Sequence, residues 1–117
     1  MTTGPRRDAD RVADMLDAIA RIESWKPDEA PEGMYRAAVL HELMIIGDAA
    51  SHLSADFKEA HADIPWKDVV GLRVRLAHHY WDTLWARIER TITEDLPPLK
   101  AALSPQRDAP EAQHDPP

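Results

Sequence analysis

Apolar residues recur along most of this chain at spacings of three and four, the period of helices that bury one face. Val12, Met15, Leu16, Ile19 and Ile22 predict a first helix from about Asp8 to Ser24, with Asp8 and Asp10 placed at the positive end of its dipole. Residues 1–7 read as a disordered leader, and Trp25 to Gly33, punctuated by two prolines and a glycine, as a linker. A second helix from about Met34 to Leu53 carries Val39, Leu43, Ile46, Ala50 and Leu53 on one stripe, with Leu40, Met44 and Gly47 on an adjacent face. So wide an apolar arc suits a central or interface helix. Because glycine costs about 1 kcal/mol relative to alanine inside a helix, Gly47 is expected to mark close approach by a neighbouring backbone.

Ser54 predicts an N-cap for a short helix through about Ala60, with Phe57 turned inward. After a turn over Ala62–Pro65, a third helix opens with Pro65 at its first position, where a missing N–H does no harm. Val69, Leu72, Leu76 and Tyr80 form its stripe, and it is expected to end between His79 and Thr83. A fourth helix has Leu84, Trp85, Ile88 and Ile92 on one side and Arg87, Arg90 and Glu94 on the other. Asp95-Leu96-Pro97-Pro98 is expected to break or kink it, leaving a last turn or two over Leu99–Leu103. From Ser104 to Pro117 the chain is proline-rich and aperiodic, the pattern of a disordered tail. There are no repeats and no β alternation. The reading is an all-α bundle of four to five helices over residues 8–103.

Composition narrows the chemistry. The 117 residues make one domain with a modest core and contain no cysteine, which excludes disulfides and thiolate metal sites. No apolar run approaches the roughly 20 residues of a membrane span. The basic N-terminus lacks the apolar stretch of a signal peptide, so the cytoplasm is the expected location. With 14 basic and 21 acidic residues the net charge is −7, so bulk electrostatics do not draw this protein to nucleic acid. Any such contact needs a local patch, and Lys67, Arg73, Arg75, His78 and His79 make the dense one outside the N-terminal tip. The alternative is that they balance Asp63 and Asp68 on a solvated face. Five histidines outside the tail (His41, His52, His61, His78 and His79) show no metal-ligand spacing: Ile45 stands where a second histidine after His41-Glu42 would be needed. No metal or other cofactor is expected.

The stretch Gly71-Leu72-Arg73-Val74-Arg75-Leu76-Ala77-His78-His79-Tyr80-Trp81 gathers cationic, titratable and aromatic groups on an apolar pattern. Arg73 borders the stripe, whereas His78, five residues on, lies about 140° around a regular helix. A helix end near His78, or a second copy of the chain, brings the two together more readily than one straight helix does. A guanidinium to hold a phosphate and an imidazole to move a proton are what metal-independent RNA cleavage requires. The bland alternative is an interface arginine, a surface histidine, and Tyr80 as a core residue whose hydroxyl reaches the edge.

Arg73, His78 and Tyr80 fall in the pattern Arg-x4-His-x-Tyr, and this stretch resembles the HepT-like branch of the HEPN superfamily. Leu43-Met44-Ile45-Ile46-Gly47-Asp48-Ala49-Ala50 is similar to that family's "IIGEA" helix, Ile64-Pro65-Trp66 with Val69-Val70-Gly71-Leu72-Arg73 to its "IPW…GxR" segment, and Asp95-Leu96-Pro97 to its closing "DLP". The likeness runs over about residues 9–103. It implies a homodimeric helical bundle and the toxin of a type VII toxin–antitoxin pair, a metal-independent RNA endonuclease with Arg73 and His78 as catalytic residues. It implies a partner too, a minimal nucleotidyltransferase antitoxin that AMPylates Tyr80; Lys67, Arg75 and His79 are candidates for RNA contact. One residue departs from the pattern. Val74 stands where the family carries a polar residue, most often Asn, and its side chain can neither hydrogen-bond a phosphate nor orient the arginine. Arg75 and His79, four apart on one face, could compensate, or the chain could be an impaired helical binding partner of the nucleotidyltransferase.

Overall fold

In the computed structural model, residues 7–77 and 85–107 are described, and among them the secondary structure is helical throughout, without a strand. The helices are α1 (Asp8–Ser24), α2 (Glu32–Ser51), α3 (Ala55–Ala60), α4 (Trp66–Ala77), α5 (Trp85–Arg90) and α6 (Leu96–Arg107), with a 3-10 turn at Pro27–Glu29 in the linker. The all-α bundle expected from the periodicity is the fold observed. No helix among the described residues is long and apolar enough to cross a membrane.

The wide apolar arc of α2 makes it the centre. It packs against α1 on one side and α4 on the other, while α6 returns to lie against α1. Val12, Met15 and Ile19 from α1 meet Val39, Leu43 and Ile46 from α2 in the core, and Leu103 closes it from α6, all fully buried. A half-exposed ion pair at 2.9 Å, Lys100 Nζ to Glu23 Oε1, ties α6 to the end of α1. At the other end of α1, Asp8 does more than meet a dipole. Its carboxylate accepts from the Ser54 N–H at 2.9 Å and the Ser54 hydroxyl at 2.7 Å, so the start of α1 holds the start of α3. Ser54 is also the expected N-cap, its hydroxyl oxygen accepting from the Phe57 N–H at 3.0 Å.

One boundary differs in kind from expectation. Asp95–Pro98 does not break the chain's last helical run. A single wide turn, Thr91–Asp95, joins α5 to α6, with the Leu96 N–H reaching back to the Thr91 carbonyl, five residues away. The next two residues, Pro97 and Pro98, fall in the first turn of α6 and bring no N–H to the ladder there. The hydroxyls of Thr91 and Thr93 donate to the carbonyls of Arg87 and Glu89, at 3.1 and 3.0 Å, which helps satisfy the disturbed ladder. The last helix also continues past Leu103 to Arg107, through Pro105, so the helical part extends beyond the boundary the composition suggested.

Candidate active site

α4 owes its position to the residues just before it. The Trp66 indole N–H, at the first position of α4, points back at the end of α3 and donates to the carbonyls of Lys58 at 3.2 Å and His61 at 3.0 Å. Its ring meets Phe57 edge-on, and Phe57 stacks on His61 with centroids 4.3 Å apart. The Pro65 carbonyl accepts from Asp68 and Val69, so the proline introduces the helix from the position before it. These contacts set the rotation of α4 about its own axis, and with it the face on which each later side chain appears.

The closest approach of α4 to α2 is at Gly47. A methyl group there would stand 2.8 Å from the backbone nitrogen of Arg73, 3.2 Å from the Val69 carbonyl oxygen and 3.3 Å from the Arg73 Cβ. Glycine is therefore present because the backbone carrying the motif arginine occupies the space of a side chain, as its helix-interior cost implied. The next residue, Asp48, meets the same arginine through its side chain: Arg73 Nη1 lies 3.6 Å from Asp48 Oδ1, with both side chains about half exposed. Arg73 and Asp48 share a groove of about 340 Å³ with Arg11 and Asp14 of α1 and with His41, Met44, Ile45 and Ala49 of α2. A half-exposed guanidinium presents several N–H donors, in a geometry that suits a ligand phosphate.

The remaining candidates are not all brought together. Arg75 is two positions, about 200°, from Arg73 on the helix. Its guanidinium turns back to donate to the Asp68 carbonyl at 3.0 Å, and it lines a separate cleft of about 590 Å³ between α4 and the α5–α6 run. Arg87, Arg90, Glu94 and Asp95 share that cleft, over a floor that includes Leu72, Leu96 and Leu99. The structure therefore parts the two arginines that the sequence places side by side. Lys67 is exposed in the first turn of α4. Val74 is exposed as well, at 59%, and lines neither the groove nor the cleft. His78, His79 and Tyr80 lie outside the described residues.

Two partnerships were not found from sequence. Asp48 shows in the sequence only as part of the second helix, and its place in the last turn, where the dipole disfavours an anion, is the one local signal it gives. Glu42 is the other: it is buried, 6% exposed, and its Oε1 sits 2.9 Å from Arg21 Nη2 of α1. The Glu42 carboxylate beside it raises the Arg21 pKa above its ordinary value.

Comparison with known proteins identifies the family. The family model described as HepT-like, "Ribonuclease HepT-like", matches residues 15–105. The chain is 31% identical over 107 residues to "Probable ribonuclease HepT" of Thermococcus cleftensis, covering 87% of this chain and 97% of that one. It is 39% identical over 67 residues to "Putative RNase MJ1380" of Methanocaldococcus jannaschii, covering 57% and 62%, and 30% identical over 99 residues to "Putative RNase MJ0127" of the same organism, covering 80% and 82%. No solved structure matches. The helical bundle, the groove-side Arg73 and a family match spanning the whole motif agree, and the chain belongs to the HepT-like ribonuclease family.

Proposed function

We propose that this protein is a metal-independent RNA endonuclease, the toxin of a type VII toxin–antitoxin pair, acting as a homodimer in the cytoplasm. The observation that carries the reading is the family match across residues 15–105, which takes in Arg73, His78 and Tyr80. The position of Arg73 supports it: an exposed guanidinium on a groove edge can engage a phosphate without first leaving a core. In RNA the nucleophile is the substrate's own 2′-OH, so the protein has two tasks. Arg73 holds the scissile phosphate and stabilises the charge that grows on its oxygens. His78 moves a proton at the 2′-oxygen or at the leaving 5′-oxygen.

The homodimer rests on two arguments. On a regular helix residues five apart point about 140° apart, so a cleft shared by two copies unites Arg73 and His78 more readily than one helix does. α2 also carries an exposed Met34, and Met44 and Ile45 at the margin of the core are only partly buried, apolar surface that a second copy would cover. Neutralisation follows from charge. An adenylate on the Tyr80 hydroxyl, placed there by a cognate minimal nucleotidyltransferase, puts a phosphate beside Arg73 and His78, where the RNA phosphate must sit.

RNA cleavage by purified protein in chelator tests this, after mass spectrometry has established that Tyr80 carries no adduct. Wild type should cut, and Arg73→Ala and His78→Ala should each lower the rate by at least about 100-fold. Cleavage that persists in both variants rules the mechanism out. The exposed Val74 favours a second reading, a helical subunit that binds the nucleotidyltransferase without cutting RNA. Val74→Asn separates the two. A gain in cleavage means that a polar neighbour is what the arginine lacks, and an inert wild type with an inert V74N dimer supports the binding subunit.

A further inference from the structure

We infer that Asp48 is a positioning residue for Arg73, and that it acts by opposing RNA binding slightly while fixing the guanidinium that stabilises the reacting phosphate. The inference rests on the ribonuclease reading above. Three observations support it. Gly47 lets the Arg73 backbone come within the space of a methyl group, so the root of the side chain lies directly against α2. The adjacent Asp48 then meets the tip, Oδ1 to Nη1 at 3.6 Å, so one dipeptide of α2 holds both ends of the arginine. Finally, Asp48 stands in the last turn of α2, where the helix dipole disfavours an anion. It occupies that place beside the Arg73 guanidinium, while the nearby His52 ring lies 2.8 Å through Nδ1 from the Asp48 backbone carbonyl.

Exposed pairs of this kind add little to stability, so holding the fold together does not account for Asp48. Its carboxylate is also a cost to an enzyme that must receive a polyanion in a chain of net charge −7. What it supplies is orientation. A long, flexible arginine free in solvent spends much of its time away from the productive geometry, and a misplacement of about 1 Å at a reacting centre can lower a rate 100-fold.

The consequence is a split between binding and turnover that a merely structural residue does not produce. In the full-length protein, Asp48→Asn should lower kcat by ~10-fold or more and lower KM as well, because the repulsion of RNA is relieved. Its melting temperature should stay within ~2 °C of wild type. Asp48→Glu, which keeps the charge, should recover most of kcat. Nitrogen NMR of the Arg73 guanidinium, assigned by its loss in Arg73→Lys, reads the contact directly. Rotation about the guanidinium bonds should be hindered in wild type and D48E and free in D48N. An unchanged kcat in D48N, or a fall in kcat that D48E does not recover, overturns the proposal. So does a fall matched by a large drop in melting temperature. The NMR arm does not depend on catalysis. Wild type that cuts no RNA sinks the ribonuclease reading, whereas an Arg73 signal indifferent to D48N sinks the positioning role.

Discussion

α2 carries two carboxylates that each meet an arginine from a neighbouring helix, and the two pairs work in opposite surroundings. Toward α1, the Glu42 side chain is 8% exposed and takes a 2.9 Å contact from Arg21. Toward α4, the Asp48 side chain is 47% exposed and stands 3.6 Å from Arg73. A buried carboxylate must be paired because desolvation without a partner is expensive, so Arg21 serves the fold and its charge is used up on Glu42. A half-exposed pair is under no such compulsion. On the proposed ribonuclease reading, Arg73 exchanges part of its contact with Asp48 for a substrate phosphate. The same residue types, six positions apart on one helix, thus become a fastening on one side and a tool on the other. Burial makes the difference.

The largest effect expected from breaking this contrast is at the buried pair. Arg21→Met strands the Glu42 carboxylate in the core and should lower the melting temperature by ~5 °C or more, measured by calorimetry. Adding Glu42→Leu should recover most of that loss, since an apolar pair fills the same space without a charge to desolvate. A single variant as stable as wild type would mean that water reaches Glu42 and that the contrast is false. Gly47→Ala comes next. The helix gains about 1 kcal/mol of intrinsic propensity, but a carbon 2.8 Å from the Arg73 backbone nitrogen must push α4 away. Overpacking against backbone costs about 1–3 kcal/mol, so stability should fall by about 1 kcal/mol net, and cleavage should fall further than stability does, because Arg73 moves with the helix. Asp48→Asn should change folding stability by less than about 1 kcal/mol in urea denaturation, the counterpart of the R21M loss.

The smallest effect lies at the other end of α2. Tyr35 meets Trp85 edge-on with ring centroids 6.2 Å apart, and Arg36 stacks over the same indole. Burial first, and the charge of Glu89 second, raise the Tyr35 pKa above its ordinary value near 10. The folded protein then keeps its proton where the unfolded chain has lost it, so this contribution is present below about pH 10 and is lost as pH rises through the folded pKa. Tyr35→Phe should flatten the decline in stability above pH 10. An alkaline limb that persists unchanged in Y35F would assign it to other groups.

Much of this molecule is legible in its sequence. The stripe Val12-Met15-Leu16-Ile19-Ile22 has one way to bury itself, and α1 follows with the predicted limits. Ser54 caps because its hydroxyl has an N–H to satisfy, a local requirement that needs no knowledge of the rest of the chain. Gly47 announced a close neighbour because nothing else repays a glycine in mid-helix. Arg73 was recognisable as a candidate from its motif. The double proline does not break the helix; a wide turn precedes it, and whether such a turn forms is decided by the whole run from Trp85 to Arg107.

What the sequence by itself determined is therefore the set of helices, their buried faces and the identity of the motif, since periodicity and capping act over a few residues. Only the tertiary structure decided which neighbours meet: that Gly47 faces Arg73, that Asp48 stands beside its tip, that Glu42 takes Arg21, and that Arg75 belongs to a different cleft. Those pairings are set by the rotation of each helix about its axis and by the distance between helices. Both come from the packing of α1, α2 and α4 together, and no single stretch of sequence contains them.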